Sequence, residues 1–432
     1  LQLRSSMQAA GRRLQSSRNM ATYAFSVEAK LPQKIEPAAT KPVNYETKTL
    51  TNGAKVIARN AWSESVSISI AINSGSKYES AKEKGAAHLL AAAGFSGTQE
   101  RSGLRLMRDI ENAGFIVDAT ATREQIIYSI KALPDAANAA ISTLSEAVFS
   151  PPIRDYVINE RKPTAALRSE RALRCPYTTV SHLLYEAAYG EGSALGSSPY
   201  ALDLGSLDVK DVLAFRARNF VAPNVTVIGN GLSAESLEKL ASGITSGAAA
   251  SSESPYVGGV ARRRVDAGGR LHTVVAFPAA SGQKGKAFSV LQTALKGKVS
   301  GPAYVVPFFS RNASGGLFGV YVASSCPAET EKAIASFIAE LKTVASGSGD
   351  FTGSKTQGTL ENFGTLEKDS GAYMLAASKE GLSPIDFADL RTVSNDDVKA
   401  AAASIFQSRP SFAAYGDTFG LFNYDGLVKL LK

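Results

Sequence analysis

Histidine, cysteine and tryptophan are scarce in this sequence. Its 432 residues include three histidines, two cysteines and a single tryptophan. Cys175 and Cys326 lie far apart. They form neither a disulfide framework nor a zinc-finger spacing, and they supply no set for haem attachment or an iron–sulfur cluster. A reducing compartment and two unrelated buried thiols are expected. No stretch of about 18 or more apolar residues occurs, which excludes a membrane-spanning helix. A place in a membrane assembly would therefore lie outside the lipid. Nothing between the basic clusters reads as a DNA- or RNA-binding motif, so nucleic acid is not an expected partner. Acidic residues are missing from positions 1–27, the first being Glu28.

That acid-free start is also rich in serine and carries Arg4, Arg12, Arg13 and Arg18. Leu3, Met7, Ala10 and Leu14 fall on one helical face. This is the composition of a mitochondrial targeting segment, and a chain opening on Leu1 is expected to be a mature end that kept its basic residues. The arm could meet an anionic membrane surface. The rest of the formal +8 charge includes Arg262, Arg263 and Arg264. Hydrophobic residues at 44% and charged residues at 20% describe a folded globular chain. The length exceeds one ordinary core and predicts two or three domains.

Residues 28–44 hold Pro32, Pro37 and Pro42 and read as extended. Thr47–Arg59 predicts a hairpin about Thr51-Asn52-Gly53, and Ser65–Ile72 a half-buried strand. Helices are predicted from about Gly85 and over Arg101–Ala113, the latter ended by Gly114. Strands follow at Phe115–Thr122 and Gln125–Ala132, then a helix over Asp135–Phe149 that stops before Pro151-Pro152. Ile153–Arg174 and Tyr177–Tyr189 predict long helices, with a kink or break at Pro163. Val209–Phe220 reads as helix and Asn224–Asn230 as strand. Ser, Ala and Gly then dominate Ser242–Gly259, a linker composition. Beyond it the order restarts: strand His272–Phe277, helix Lys286–Leu295, strand Leu317–Ser324, helix Ala328–Ser346, more helix to about Gln407, and strand Phe412–Gly416. The expectation is α+β, with a basic arm and lead-in at 1–44, an N-terminal domain at 45–241, a linker at 242–262 and a homologous C-terminal domain at 263–432.

One segment should carry chemistry. Gly85-Ala86-Ala87-His88-Leu89-Leu90-Ala91-Ala92-Ala93-Gly94-Phe95-Ser96-Gly97-Thr98 resembles the signature of the pitrilysin-type zinc peptidases, a His-x-x-Glu-His helix followed by Phe-x-Gly-Thr. Asn73-Ser74-Gly75-Ser76-Lys77-Tyr78-Glu79, Ala119-Thr120-Ala121-Thr122-Arg123-Glu124 and Leu317-Phe318-Gly319-Val320-Tyr321 are similar to further stretches of that family. The resemblance runs over roughly residues 45–430. It implies two homologous domains, each a mostly antiparallel sheet packed with helices. Zinc hydrolysis needs three protein ligands, a free position for water and a base. Here the first ligand position is His88, the base position Ala91 and the second ligand position Ala92. Counting the family's spacing to its last ligand lands on Arg168, whose guanidinium repels a cation. A replacement site from His88, His182 and Glu170 is not expected, because Glu170 points away from the Arg168 face. His272 opens a strand beyond the linker. No catalytic, cofactor or metal residues are therefore assigned; His88, Ala91, Ala92 and Arg168 are degenerate positions, and His88 is expected to be a hydrogen-bonded structural histidine.

Two non-catalytic branches of the family remain. The processing-peptidase alpha subunits carry a glycine-rich loop early in the second domain, whereas Lys286–Phe309 holds only Gly297 and Gly301. The second-core-subunit branch of the cytochrome bc1 complexes is the better resemblance. Ala86-Ala87-His88-Leu89-Leu90, Ala172-Leu173-Arg174-Cys175-Pro176, Leu183-Leu184-Tyr185-Glu186-Ala187-Ala188-Tyr189 and Ala287-Phe288-Ser289-Val290-Leu291-Gln292 are similar to its helices. The departures are a shortened stretch after Leu295 and Asn312 in place of a usual Tyr. This branch implies a subunit on the matrix side of the inner membrane, without cofactors. Its partners would be a core-1-like subunit, cytochrome b, cytochrome c1 and the Rieske subunit.

Overall fold

A computed structural model describes residues 44–61, 63–151, 155–201, 203–265, 269–299, 303–313, 315–347 and 350–431. The basic arm at 1–43, the start of the Ile153 helix and Gly301 lie outside the described residues.

The chain opens with β1 (Asn44–Thr49) and β2 (Lys55–Asn60), the predicted hairpin, and Gly53 at φ 92° makes its turn. β3 (Val66–Ile72), β4 (Ile116–Ala121), β5 (Ile126–Ala132) and β6 (Val225–Asn230) complete a six-stranded sheet of order β1-β2-β6-β3-β5-β4. Between them run α1 (Ala86–Ala92), α2 (Gly103–Asn112), α3 (Ala137–Phe149), α4 (Asp155–Leu173), α5 (Pro176–Tyr189) and α6 (Val209–Asn219). α7 (Ala234–Ser242) follows β6.

A second sheet is then built. β7 (Gly259–Arg264), β8 (Leu271–Ala279), β9 (Tyr304–Asn312), β10 (Gly315–Ser324) and β11 (Ser411–Gly416) take the order β7-β11-β8-β10-β9. α8 (Gly285–Leu295) follows β8. α9 (Pro327–Ala345), α10 (Thr352–Lys368), α11 (Ser370–Lys379), α12 (Pro384–Ala388) and α13 (Asn395–Ile405) lie between β10 and β11, and α14 (Tyr424–Leu431) comes last. In each sheet one parallel pair, β2·β6 or β7·β11, is followed by three antiparallel ones. The same wiring twice over is the signature of two homologous α+β halves, in agreement with the expected fold class.

The period-2 alternation of strands explains how each sheet is covered. Val66, Ile68, Ile70 and Ile72 of β3 face the core under α1, α3 and α6, whereas Ala71 faces the opposite side. In β8, Val275 and Phe277 meet α8, α9 and α13, while Val274 and Ala276 point the other way. That other face of the second sheet is covered by Val180, Leu183, Leu184 and Ala188 of α5. Reciprocally, Met374 and Leu375 of α11 cover the back of the first sheet at Ile57, Ala71 and Ile228. Each half thus lends one helix to the other's sheet. Every buried methylene on these faces contributes about 0.8 kcal/mol, so the exchange joins the halves through core rather than rim.

Three sequence expectations are corrected. Of the kink or break expected at Pro163, α4 shows no break; Pro163 and Asn159 are both exposed, so the carbonyl that lost its amide partner faces solvent. Cys175 and Cys326 are free and exposed rather than buried. Each precedes a proline that opens a helix, so each stands at a helix start on the surface. β9 occupies the span after Leu295 where no strand was predicted. Pro307 within it disguises the pattern, and it is tolerated because β9 is an edge strand.

Candidate functional site

The site is built on α1. Gly85 precedes it at φ 91°, and a Cβ there would meet Leu204 Cδ2 at 2.5 Å and Ala201 Cβ at 2.6 Å, so only glycine fits. The orphan amides of the helix start are taken by Glu79, whose carboxyl accepts from Gly85 N at 2.9 Å and Ala87 N at 2.8 Å. Burial pushes the Glu79 carboxyl up to about 7, against the pull of those two amides. All seven residues of α1 are buried. After it Phe95 adopts φ 59°, the one left-handed non-glycine residue among those described, and its ring packs edge-on against Tyr128 at 6.4 Å.

His88 places Nε2 2.9 Å from the carbonyl oxygen of Ala165 on α4. A carbonyl only accepts, so Nε2 donates and the ring is held as that tautomer. Burial lowers the His88 pKa, and the nearby charge of Arg168 lowers it further. Arg168 is exposed and lies about one helical turn from the buried Ala165 on α4. Ala91 and Ala92 are 4% and 5% exposed, and their methyl groups belong to the core of the first half. The four positions predicted from the signature therefore lie on the adjoining helices α1 and α4. Between them they offer one imidazole, two methyl groups and a guanidinium.

The other histidines do not complete a ligand set. His182 on α5 accepts at Nδ1 from Arg123 Nη2, 3.0 Å away, with Nε2 3.4 Å from Ser198 Oγ. Burial first, and then Arg123 and Arg263, push its pKa down to about 3. His88 and His182 both lie edge-to-face against Tyr200, at 6.2 and 5.4 Å. Glu170 is exposed and paired with Arg174 at 2.8 Å. His272 hydrogen-bonds Tyr321 through Nδ1 at 2.7 Å, in the second half. Among the described residues no group of three or more His, Cys, Asp or Glu side chains is placed to hold a metal ion.

Two motifs singled out in the sequence meet at a seam. Ser76 N and Lys77 N donate to Thr122 O and Arg123 O, and Gly75 N donates to Glu124 O. A Cβ on Gly75 would lie 2.4 Å from the Arg123 backbone. The Arg123 guanidinium stacks 3.9 Å over the Tyr185 ring of α5. Glu124 accepts from Lys379 Nζ of α11 at 3.2 Å and from Ala313 N beyond β9 at 2.8 Å. Tyr185 in turn reaches Ser310 at 2.7 Å and Asn312 at 3.3 Å on β9. Sequence reasoning found these residues as matches to a pattern and missed their task, because their partners lie up to 255 residues away.

Residues 55–198 match the family described as Insulinase (Peptidase family M16). Over 92% of its length the chain is 27% identical to "Mitochondrial-processing peptidase subunit alpha" of Solanum tuberosum, covering 86% of that protein. Over 91% it is 26% identical to "Cytochrome b-c1 complex subunit 2, mitochondrial" of Homo sapiens, covering 95% of it. The protein of the same description in Cryptococcus neoformans var. grubii is 27% identical over 81% of the chain and 87% of its own length. That match lies across the signature helix, and the relatives span both sheets.

Proposed function

We propose that this chain is a non-catalytic structural subunit of the mitochondrial ubiquinol–cytochrome c reductase, complex III, of the core-2 kind. One observation supports the reading: Ala91, Ala92 and Arg168 stand on α1 and α4 at the positions where the resemblance puts the base and two ligands of a hydrolytic zinc site. The remaining donor, His88, spends Nε2 on Ala165. Likeness to the cytochrome b-c1 subunits 2 of human and Cryptococcus along most of both chains supports the assembly named. In this role the subunit anchors the complex by burying surface against a core-1-like subunit. Cytochrome b, cytochrome c1 and the Rieske subunit conduct the electrons, and this chain holds no cofactor. It lies peripherally on the matrix side of the inner membrane; among the described residues no helix is long and apolar enough to cross one. Its basic arm meets anionic lipid or threads between subunits. Its organisation is an N-terminal domain at 45–241, a linker at 242–262 and a C-terminal domain at 263–432.

The comparable likeness to a processing-peptidase alpha subunit favours one second reading, a non-catalytic substrate-binding partner of an active beta subunit. Gentle detergent extraction, native electrophoresis and haem staining separate the two. Migration with a haem-containing complex is expected. A soluble, haem-free heterodimer selects the second reading. One tightly bound zinc per chain together with chelator-sensitive peptide cleavage overturns both.

A further inference from the structure

The two sheets share their wiring but not their strand number. In register of topology, β2, β6, β3, β5 and β4 correspond to β7, β11, β8, β10 and β9. β1, which covers β2 in the first sheet, has no counterpart among the described strands of the second. β7 pairs with β11 alone, so its outer side is an open edge among the described residues. Val265 N donates to Gly416 O of β11. By the alternation of a parallel pair, the main-chain groups of Val260, Arg262 and Arg264 point away from β11. Among the described residues they form a row of unpaired donors and acceptors of the kind that templates a further strand.

The side chains of this edge select what can fill it. Val260 is exposed, as are Val257 and Val265 on either side of the strand. Arg262, Arg263 and Arg264 are all exposed and stand in succession. Arg262 reaches the Phe422 carbonyl and lies 5.2 Å over the Phe412 ring; Arg264 lies 5.7 Å over the exposed Phe419 ring. Among the described residues, the single carboxylate within ion-pair range of the three is Asp417, 3.9 Å from Arg264. A second copy of β7 would set arginine against arginine, which destabilises a strand pair. Residues 1–27 of the chain carry four arginines and no acid, so they are repelled as well.

We propose that the β7 edge is a docking site for an extended acidic segment of a partner protein, which adds to the second sheet as its sixth strand. The segment bonds through its main chain to Val260, Arg262 and Arg264, and its carboxylates meet the arginine side chains. The site is independent of whether the chain serves a respiratory complex or a processing peptidase.

The test uses the full chain and a labelled, end-blocked ten-residue peptide that alternates Glu with Val and Thr. Saturable binding is expected, weakened by added salt, together with slowed amide exchange across 257–265. The same peptide N-methylated at every second amide keeps its charge but cannot pair as a strand, and its affinity is expected to fall about tenfold or more. Joint substitution of Arg262→Glu and Arg264→Glu should weaken the unmodified peptide to a similar extent. Equal binding of the methylated peptide, binding without slowed exchange in 257–265, or no binding overturns the proposal. The methylated peptide decides the question on the unaltered chain, even where the double substitution disturbs folding.

Discussion

Burial holds the His182 imidazole neutral far into acid, at about 3, with Arg123 and Arg263 adding to the effect. An unfolded chain takes up that proton near 6.5, so folding is opposed as pH falls from there towards 3 and unopposed above. Glu79 works in the opposite sense. Its folded carboxyl keeps a proton up to about 7, so it adds stability as pH falls from 7 towards the ordinary carboxylate range. Urea midpoints at about pH 7.5 and about pH 5 separate the two groups. His182→Gln should lose less stability on acidification than the parent chain, and Glu79→Gln should lose more. Identical acid losses in all three proteins would refute both assignments. The helix pair α1–α4 allows a constructive test at the same scale. If the proposed degenerate positions are right, Ala91→Glu, Ala92→His and Arg168→Glu together supply a donor set beside His88 and should confer chelator-reversible zinc binding, measured as metal per chain. Arg168→Glu alone should not.

Among the elements, α5 and α11 are the informative pair, because each stabilises a sheet to which it is not adjacent in sequence. Met374→Ala on α11 removes a fully buried side chain from the back of the first sheet and should cost about 2–5 kcal/mol. The loss should surface as faster amide exchange in β3 and β6, more than 140 residues upstream of the substitution. Loss confined to α10–α13 would contradict this packing. Much of the element order could be read directly from the sequence. Val66, Ile68, Ile70 and Ile72 alternate cleanly, Gly114 stops α2, and the prolines at 176 and 327 open helices. β7 was hidden because Gly259 and three arginines resemble the end of a linker, and an edge strand needs no apolar alternation. α5 was recognised as a helix, but its valine and leucines state only that a face must be buried. They do not say against which sheet.

At the scale of the molecule, residues 44–432 form a single compact unit despite containing two homologous halves. Calorimetry of the isolated chain should therefore give one transition, and a protease cut within 247–256 should leave the fragments together until they are denatured. Two resolved transitions would argue against the helix exchange. The Thr122–Gln125 turn holds the seam, and Glu124→Ala would strand both Lys379 Nζ and Ala313 N at a cost of roughly 1–3 kcal/mol, read as a lowered urea midpoint. The Glu79 and Glu124 partnerships were not readable beforehand, since each depends on where a distant backbone amide or ammonium comes to rest.

The mutual loan of helices also sets an order of events when the polypeptide is made or threaded through a membrane. α5 emerges long before β8, β10 and β11, the strands that will shelter its leucines, so its apolar face must wait unsheltered while more than 200 further residues arrive. The first sheet likewise lacks its rear cover until Met374 and Leu375 appear. A half-finished chain is thus an adhesive one, and neither repeat can be removed without baring apolar surface on the other.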